Sequence, residues 1–335
     1  MLNSVNLQNV LMARNRIAPF VRRTPLEFSR ELGAYLKLEN LQRTGSFKLR
    51  GALNRVLSMT GEEKQRGVVA ASAGNHAQGI AFGCQQVGVS AIVVMPEPTP
   101  RTKVKATRSY GVEIRLFGNT YDDAEAEARR IERETGRVFI SPYNNPLIIA
   151  GQGTLALEIL DDLPNVAQAL VPVGSGGLIC GVGIALKAAN PAIRVVGVTS
   201  RATPAMYNVM KHERLPQLPT IAEGLSGEVE PGSITLDLLP QAADDVLLVE
   251  EADIRAAIAW LVETHHLIVE GSGAVCIAAL RSFLDLLNAG PTAAIISGGN
   301  LDVEELKRIL ADETNFVSPH ALTASGKSAS AEGLR

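Results

Sequence analysis

The stretch Thr44 to Ala52, TGSFKLRGA, sets one lysine, Lys48, between Phe47 and a run of small residues. A lysine at a helix start is ordinarily solvated. An amine meant for Schiff-base chemistry must instead be partly desolvated, so that it is neutral near working pH; Phe47 and the small neighbours permit that. Two more stretches carry useful groups. In Ser72 to Gly79, SAGNHAQG, Ser72, Asn75 and His76 surround Gly74 where a helix opens. Backbone N–H groups with a serine hydroxyl suit a carboxylate there, and Asn75 can donate to a phenolic oxygen. Read alone, the same letters fit an ordinary N-cap, and His76 fits a packed histidine. Gly174, Ser175, Gly176, Gly177 and Leu178 follow the apolar run ALVPV. Consecutive small residues let N–H groups point inward at the positive end of the next helix, a cradle for an anion. No Lys-Ser or Lys-Thr follows the glycines, and the G-x-G-x-x-G spacing is absent, so a monophosphate fits better than a nucleotide.

These loops need rigid elements behind them. Short β-rich runs lie at 68–72, 91–96, 113–117, 138–141, 169–173, 194–198, 245–250 and 293–298. Between them are amphipathic stretches such as 121–136 and 251–266, apolar on one face at helical spacing. Alternating βαβ order predicts parallel sheets with ligand loops at the strands' carboxyl ends. Glycine-rich loops close three of the runs, VVAASAGNHAQG, LVPVGSGGLICG and IISGGN, and converge more naturally on one crevice than on three separate turns.

Composition narrows the class. With 335 residues, 46% of them apolar and 30 glycines, the chain is long enough for about two domains of packed α/β layers. The formal charge of −3 includes no basic block, which argues against nucleic acid or an anionic membrane as partner. No stretch has the length of a membrane span and no leader pattern opens the chain, so a soluble, cytoplasmic protein is expected. Cys84, Cys180 and Cys276 sit far apart in apolar helical patterns and read as buried free thiols. The five histidines have no metal spacing.

In order along the chain, SFKLRGA, SAGNHAQG, GSGGL, EGSGA and SGGN resemble the serine/threonine dehydratase branch of the fold-type II pyridoxal-phosphate (PLP) enzymes, from about Thr24 to Ile309. The resemblance implies an α/β protein of two parallel-sheet domains, with tryptophan synthase β-like architecture. Residues 1–66 and 144–317 would form the larger, PLP-binding domain, 67–143 the smaller, and 318–335 a polar tail. It implies Lys48 as the lysine that carries PLP, with Phe47 packed beside the ring and Asn75 on the ring hydroxyl. The loop Gly174, Ser175, Gly176, Gly177 and Leu178 would hold the phosphate, and Ser297 the pyridine nitrogen. Ser72, Ala73, Gly74, Asn75 and His76 fall in the loop that takes the substrate carboxylate. Glu270 lies where the family keeps an acidic residue, and Tyr143 is placed near the substrate side chain.

The implied activity is α,β-elimination from L-threonine and/or L-serine to a 2-oxo acid and ammonia, by a homodimer. Serine racemase and threo-3-hydroxyaspartate dehydratase are alternatives, as are β-replacement and, in a different class, a non-catalytic PLP-binding protein. Family racemases generally carry a second serine where this chain has Ala73, and an alanine cannot donate a proton. Their glutamate and aspartate for a divalent cation correspond to Thr199 and Ala205, so no metal is expected; Glu223 is read as structural or cleft-lining. The 18 or so polar residues of 318–335 are too few for a regulatory domain, and feedback through one is not expected.

Overall fold

The computed structural model describes residues 5–316, so the expected tail 318–335 lies outside the described residues. In chain order the elements are α1 (Leu7–Ile17), β1 (Leu26–Ser29), β2 (Ala34–Leu38), α2 (Lys48–Leu57), α3 (Gly61–Arg66), β3 (Val68–Ala71), α4 (Asn75–Val87), β4 (Ala91–Met95), α5 (Arg101–Arg108), β5 (Glu113–Leu116), α6 (Tyr121–Thr135) and β6 (Val138–Phe139). There follow α7 (Pro146–Asp162), β7 (Gln168–Pro172), α8 (Gly177–Ala189), β8 (Arg194–Ser200), α9 (Ala205–Lys211), α10 (Ile234–Ala242), β9 (Asp245–Val249), α11 (Glu251–His265), α12 (Gly271–Ser282), β10 (Thr292–Ile296) and α13 (Val303–Ala311).

Two sheets result. The larger runs β1-β2-β10-β7-β8-β9 and the smaller β5-β4-β3-β6. Every pairing is parallel except β1 with β2, an antiparallel edge. All eight β-rich runs read from the sequence are strands, and β3, β4, β7 and β10 are buried along their whole length, as strands covered on both faces must be. The strands β1 and β2 were not foreseen. In β2 the letters AYLKL carry a lysine that reads as solvated, yet Lys37 is fully buried. Its Nζ donates to Thr24 O and to Glu158 Oε2, each at 2.6 Å, which is what makes a charged residue tolerable inside a sheet.

Local chemistry sets the helix starts. Thr120 and Asp123 form a capping box on α6, and Asn145 accepts from Leu147 N and Ile148 N with Pro146 in the first turn of α7. Helix α2 crosses α7 closely because both carry glycine at the contact. A Cβ on Gly151 would stand 2.6 Å from Gly51 Cα, so the Gly in SFKLRGA is a packing requirement. Apolar side chains of α2, Ala52 and Val56, join the core of the smaller sheet with Val68, Ile80 and Ile148. Lys48, the first residue of α2, therefore stands on a helix packed between α4 and α7. The three cysteines are buried and free. Among the described residues no helix is long and apolar enough to cross a membrane.

Candidate active site

The loops after β3, β7 and β10 line one cleft of about 1240 Å³ between the sheets, together with Phe47 and Lys48. That is ample for a cofactor with a small amino acid beside it. Hydrogen bonds stitch the lysine segment to the SGGN loop: Phe47 N donates to Ser297 O at 3.0 Å, and Gly299 N to Gly45 O at 2.9 Å. These hold the start of α2 against the end of β10.

Lys48 Nζ donates to Pro142 O at 3.1 Å and stands 5.4 Å from the centre of the Phe47 ring. Desolvation lowers its pKa to about 8, only partly offset by the Glu270 carboxylate, so the neutral amine is far more populated near neutral pH than for a solvated lysine. Glu270 is shifted the other way. Burial lifts its pKa to about 7, against the pull of an Asn75 N–H. Asn75 Nδ2 donates to Glu270 Oε1 at 2.6 Å, and Asn75 Oδ1 accepts from Asn300 Nδ2 at 2.7 Å. Two titratable groups moved toward neutrality in one cleft mark a site for proton transfer.

The phosphate-type loop is bare by necessity. Gly176 has φ +89°, and a Cβ there would meet Met206 Cε at 2.5 Å; a Cβ on Gly174 would meet Leu225 Cα at 2.9 Å. The loop feeds the N-terminus of α8, a helix of 13 residues, so unshielded N–H groups and the helix dipole favour an anion at that end of the cleft. Ser297, 3% exposed, donates Oγ–H to Ser272 O at 3.2 Å. That is long for an O–H···O bond, and the hydroxyl can turn to another acceptor. A glycine cradle for a phosphate, a buried lysine of lowered pKa and a buried serine hydroxyl fit pyridoxal phosphate.

Ser72, Ala73, Gly74 and Asn75 line the cleft at the start of α4, with Gly74 N donating to Ser72 Oγ at 3.2 Å. The His76 ring has another task. Its Nε2 bonds Ile140 O at 2.9 Å, which places the proton on Nε2, and burial followed by the Lys48 charge holds its pKa down to about 3. It is a neutral packed histidine, leaving its backbone N–H for the loop. Tyr143 lies over the phosphate-type loop, where a Cβ on Gly177 would meet Tyr143 Cβ at 3.0 Å, and its hydroxyl accepts from Glu230 N at 3.1 Å. That hydroxyl is engaged with the 230 loop. Glu223 lines the cleft and its Oε2 accepts from Lys103 Nζ at 2.7 Å. Thr199 Oγ1 lies 3.0 Å from both Thr203 O and Thr203 Oγ1, and no group of three possible metal ligands occurs among the described residues. Among the polar residues of the cleft that had no role in the sequence reading are Lys103 and Asn300, the last letter of SGGN.

Fold and site together describe a PLP-binding α/β protein. The family model described as pyridoxal-phosphate dependent enzyme matches residues 17–298. The chain belongs to that family. It is 43% identical over 315 residues to the L-threonine ammonia-lyase of Thermotoga maritima, covering 91% of this chain and 78% of that one. Among solved structures, a T.th. threonine deaminase is 38% identical with TM-score 0.82, over 89% of this chain and 99% of that chain. Maize serine racemase is 31% identical with TM-score 0.84, over 96% and 99%.

Proposed function

We propose that this chain is a PLP-dependent ammonia-lyase that removes water across Cα and Cβ of L-threonine and/or L-serine, releasing a 2-oxo acid and ammonia. The observation that carries this reading is the Lys48 amine, with pKa near 8, at the floor of a cleft ringed by the glycine cradle, Asn75 and Ser297. Lys48 Nζ, the Gly174–Leu178 backbone, Asn75 and Ser297 would hold the cofactor, with Phe47 at its side. When bound, PLP supplies an electron sink for the charge left at Cα.

The remaining steps fall to the chain. Ser72 Oγ and the N–H groups opening α4 take the substrate carboxylate and orient Cα toward Lys48. The neutral Nζ removes the Cα proton and becomes an ammonium, and one proton returned from within the cleft to the β-hydroxyl lets it leave as water, so that no net proton is consumed. The enamine so formed takes up water to give the 2-oxo acid and ammonia. Ser297 suits elimination, because a neutral hydroxyl at the ring nitrogen, unlike an aspartate, does not hold a proton there and gives a carbanion less time to be reprotonated. Racemisation is disfavoured by Ala73, whose methyl cannot protonate the second face of Cα. We read residues 67–143 as the smaller domain, closing on the rest to exclude water, and the enzyme as a cytoplasmic homodimer. Sedimentation at the mass of one 35.6 kDa chain would remove the dimer.

The test is a 2-oxo acid and ammonia assay of PLP-loaded protein with L-threonine, L-serine and threo-3-hydroxyaspartate in parallel, tracking amino-acid chirality in the same tubes. Oxo acid and ammonia in equal amounts from L-threonine or L-serine, without D-isomer, is the expected outcome. D-isomer without oxo acid would replace this reading by racemisation.

A further inference from the structure

An asparagine side chain is nearly symmetric in shape, so only its hydrogen bonds decide which end faces which neighbour. At Asn75 that choice matters: the N–H end can donate to a phenolic oxygen and to a carboxylate, whereas the C=O end can do neither. The deciding contact comes from Asn300. Its Nδ2 donates to Thr44 O at 2.9 Å, and a backbone carbonyl only accepts, so the atom there is the nitrogen. The same Nδ2 lies 2.7 Å from Asn75 Oδ1, which must therefore be the oxygen. The nitrogen end of Asn75 is left to Glu270 Oε1, 2.6 Å away, with one N–H to spare.

We propose that Asn300 is a positioning residue: by donating to Thr44 O and Asn75 Oδ1 together, it fixes the Asn75 amide with its N–H end toward Glu270 and toward the ring hydroxyl of the bound cofactor. This rests on the function proposed above and adds to it a residue that need not touch the substrate. The two Nδ2 hydrogens of Asn300 join three loops, TGSFK, SAGNH and SGGN, each of which carries one of the groups named for the cofactor. The orientation of one amide is thus read from a backbone carbonyl two contacts away.

Replacing Asn300 by Asp keeps the shape and removes the donors. Asn75 then turns its nitrogen toward residue 300 and presents its oxygen to Glu270, which can satisfy it only when protonated. The other charged groups acting on Glu270 stay as they are: Lys48 from α2, Lys103 from α5, and Glu223 from the turn Glu223–Leu225. Asn300→Ala removes the donors without adding charge and leaves the Asn75 amide unheld.

The experiment follows the absorbance of the lysine-bound cofactor against pH, and PLP affinity by fluorescence, in holoenzymes of wild type, Asn300→Asp, Asn300→Ala and Lys48→Ala, with circular dichroism to establish folding. In Asn300→Asp the titration midpoint of the band should rise by about one pH unit and PLP affinity fall about tenfold. Asn300→Ala should move both the same way, by less. Folded variants with the wild-type midpoint and affinity would overturn the proposal even if their melting temperatures dropped, since a brace alone would lower stability and leave the band unmoved. If Asn300→Asp does not fold, Asn300→Ala decides by the same criterion. Failure of the underlying function reads differently: wild type would show no band that depends on Lys48, and both proposals would fall.

Discussion

Helix α2 carries two neighbouring charged residues, Lys48 and Arg50, that meet opposite surroundings. Arg50 is fully buried among Glu39, Glu158 and Lys37, all 0 to 7% exposed. Its Nη2 donates to Glu39 Oε1 at 2.7 Å and its Nη1 to Glu158 Oε1 at 2.7 Å, while Thr24 Oγ1 donates to Glu39 at 2.5 Å. Burial opposes each charge, but Arg50 holds Glu39 below its usual range and the two carboxylates hold Arg50 above its own. Lys48, two residues earlier, has a backbone carbonyl at its amine and no carboxylate in hydrogen-bond contact, so burial prevails and its pKa falls. The difference teaches that burial alone does not make a charge reactive. At Arg50 and Glu39 the partners outweigh burial and the charges serve as scaffold, whereas at Lys48 burial outweighs its one carbonyl partner and the proton can move.

The sharpest way to break this comparison is at Lys48. Lys48→Ala should lower oxo acid formation by on the order of 10⁴-fold or more, since it removes the proton acceptor and the cofactor's attachment together. Stability should change little, because the lost amine had no carboxylate in hydrogen-bond contact and Glu270 feels it only at a distance. Turnover and chemical denaturation of the same preparations check both halves; retained turnover would remove Lys48 from the mechanism.

Arg50→Met should do the reverse. It strands Glu39 and Glu158 with only Lys37 between them, and losing one partner of a buried ionic set costs about 3–5 kcal/mol. Urea unfolding should show that loss. Replacing Glu39, Glu158 and Lys37 by apolar residues in the same variant should recover much of it, because a packed apolar set needs no partners. Third in size is Gly176→Ala. With φ +89° and Met206 Cε 2.5 Å from the new methyl, the loop must strain by about 1–2 kcal/mol. PLP affinity, measured by fluorescence, should fall about tenfold.

The same contrast governs what could be read from the sequence. Strands β3, β7 and β10 were legible because uninterrupted apolar runs end in glycine, and a loop that approaches a ligand with its backbone must be written in small residues. Lys48 stood out by its neighbours. Strand β2 did not read as a strand, since Lys37 and Glu39 look solvated until Glu158 and Arg50, distant in the chain, are brought to them. Asn300 was quoted as a letter of SGGN without a task, because its partners Thr44 and Asn75 meet it only through the fold. Tyr143 lines the cleft, and its hydroxyl accepts from Glu230 N, a contact with no local signature. Pairings made over long sequence separations are where the reading ran out.

The last test sharpens the comparison most finely, because it follows Glu270, a buried carboxylate held by the Asn75 amide rather than by an ion pair. Its folded pKa is about 7, raised from 4.5 chiefly by burial. Below pH 4.5 both folded and unfolded chains hold the proton, and Glu270 has no bearing on stability. Between 4.5 and 7 the unfolded chain has released it while the folded chain retains it, so the folded state binds more protons and stability must fall as pH rises. Above 7 both are ionised and the loss is complete. Glu39 runs the other way: its lowered pKa contributes stability that is present at neutral pH and lost on acidification. Glu270→Gln keeps an acceptor for Asn75 and removes the titration. Urea midpoints of variant and wild type should agree near pH 4.5 and diverge up to pH 8, with the variant the more stable. A constant difference across that range would mean that Glu270 is ionised throughout, and the proton available for transfer in the cleft would have to be sought on Lys48 alone.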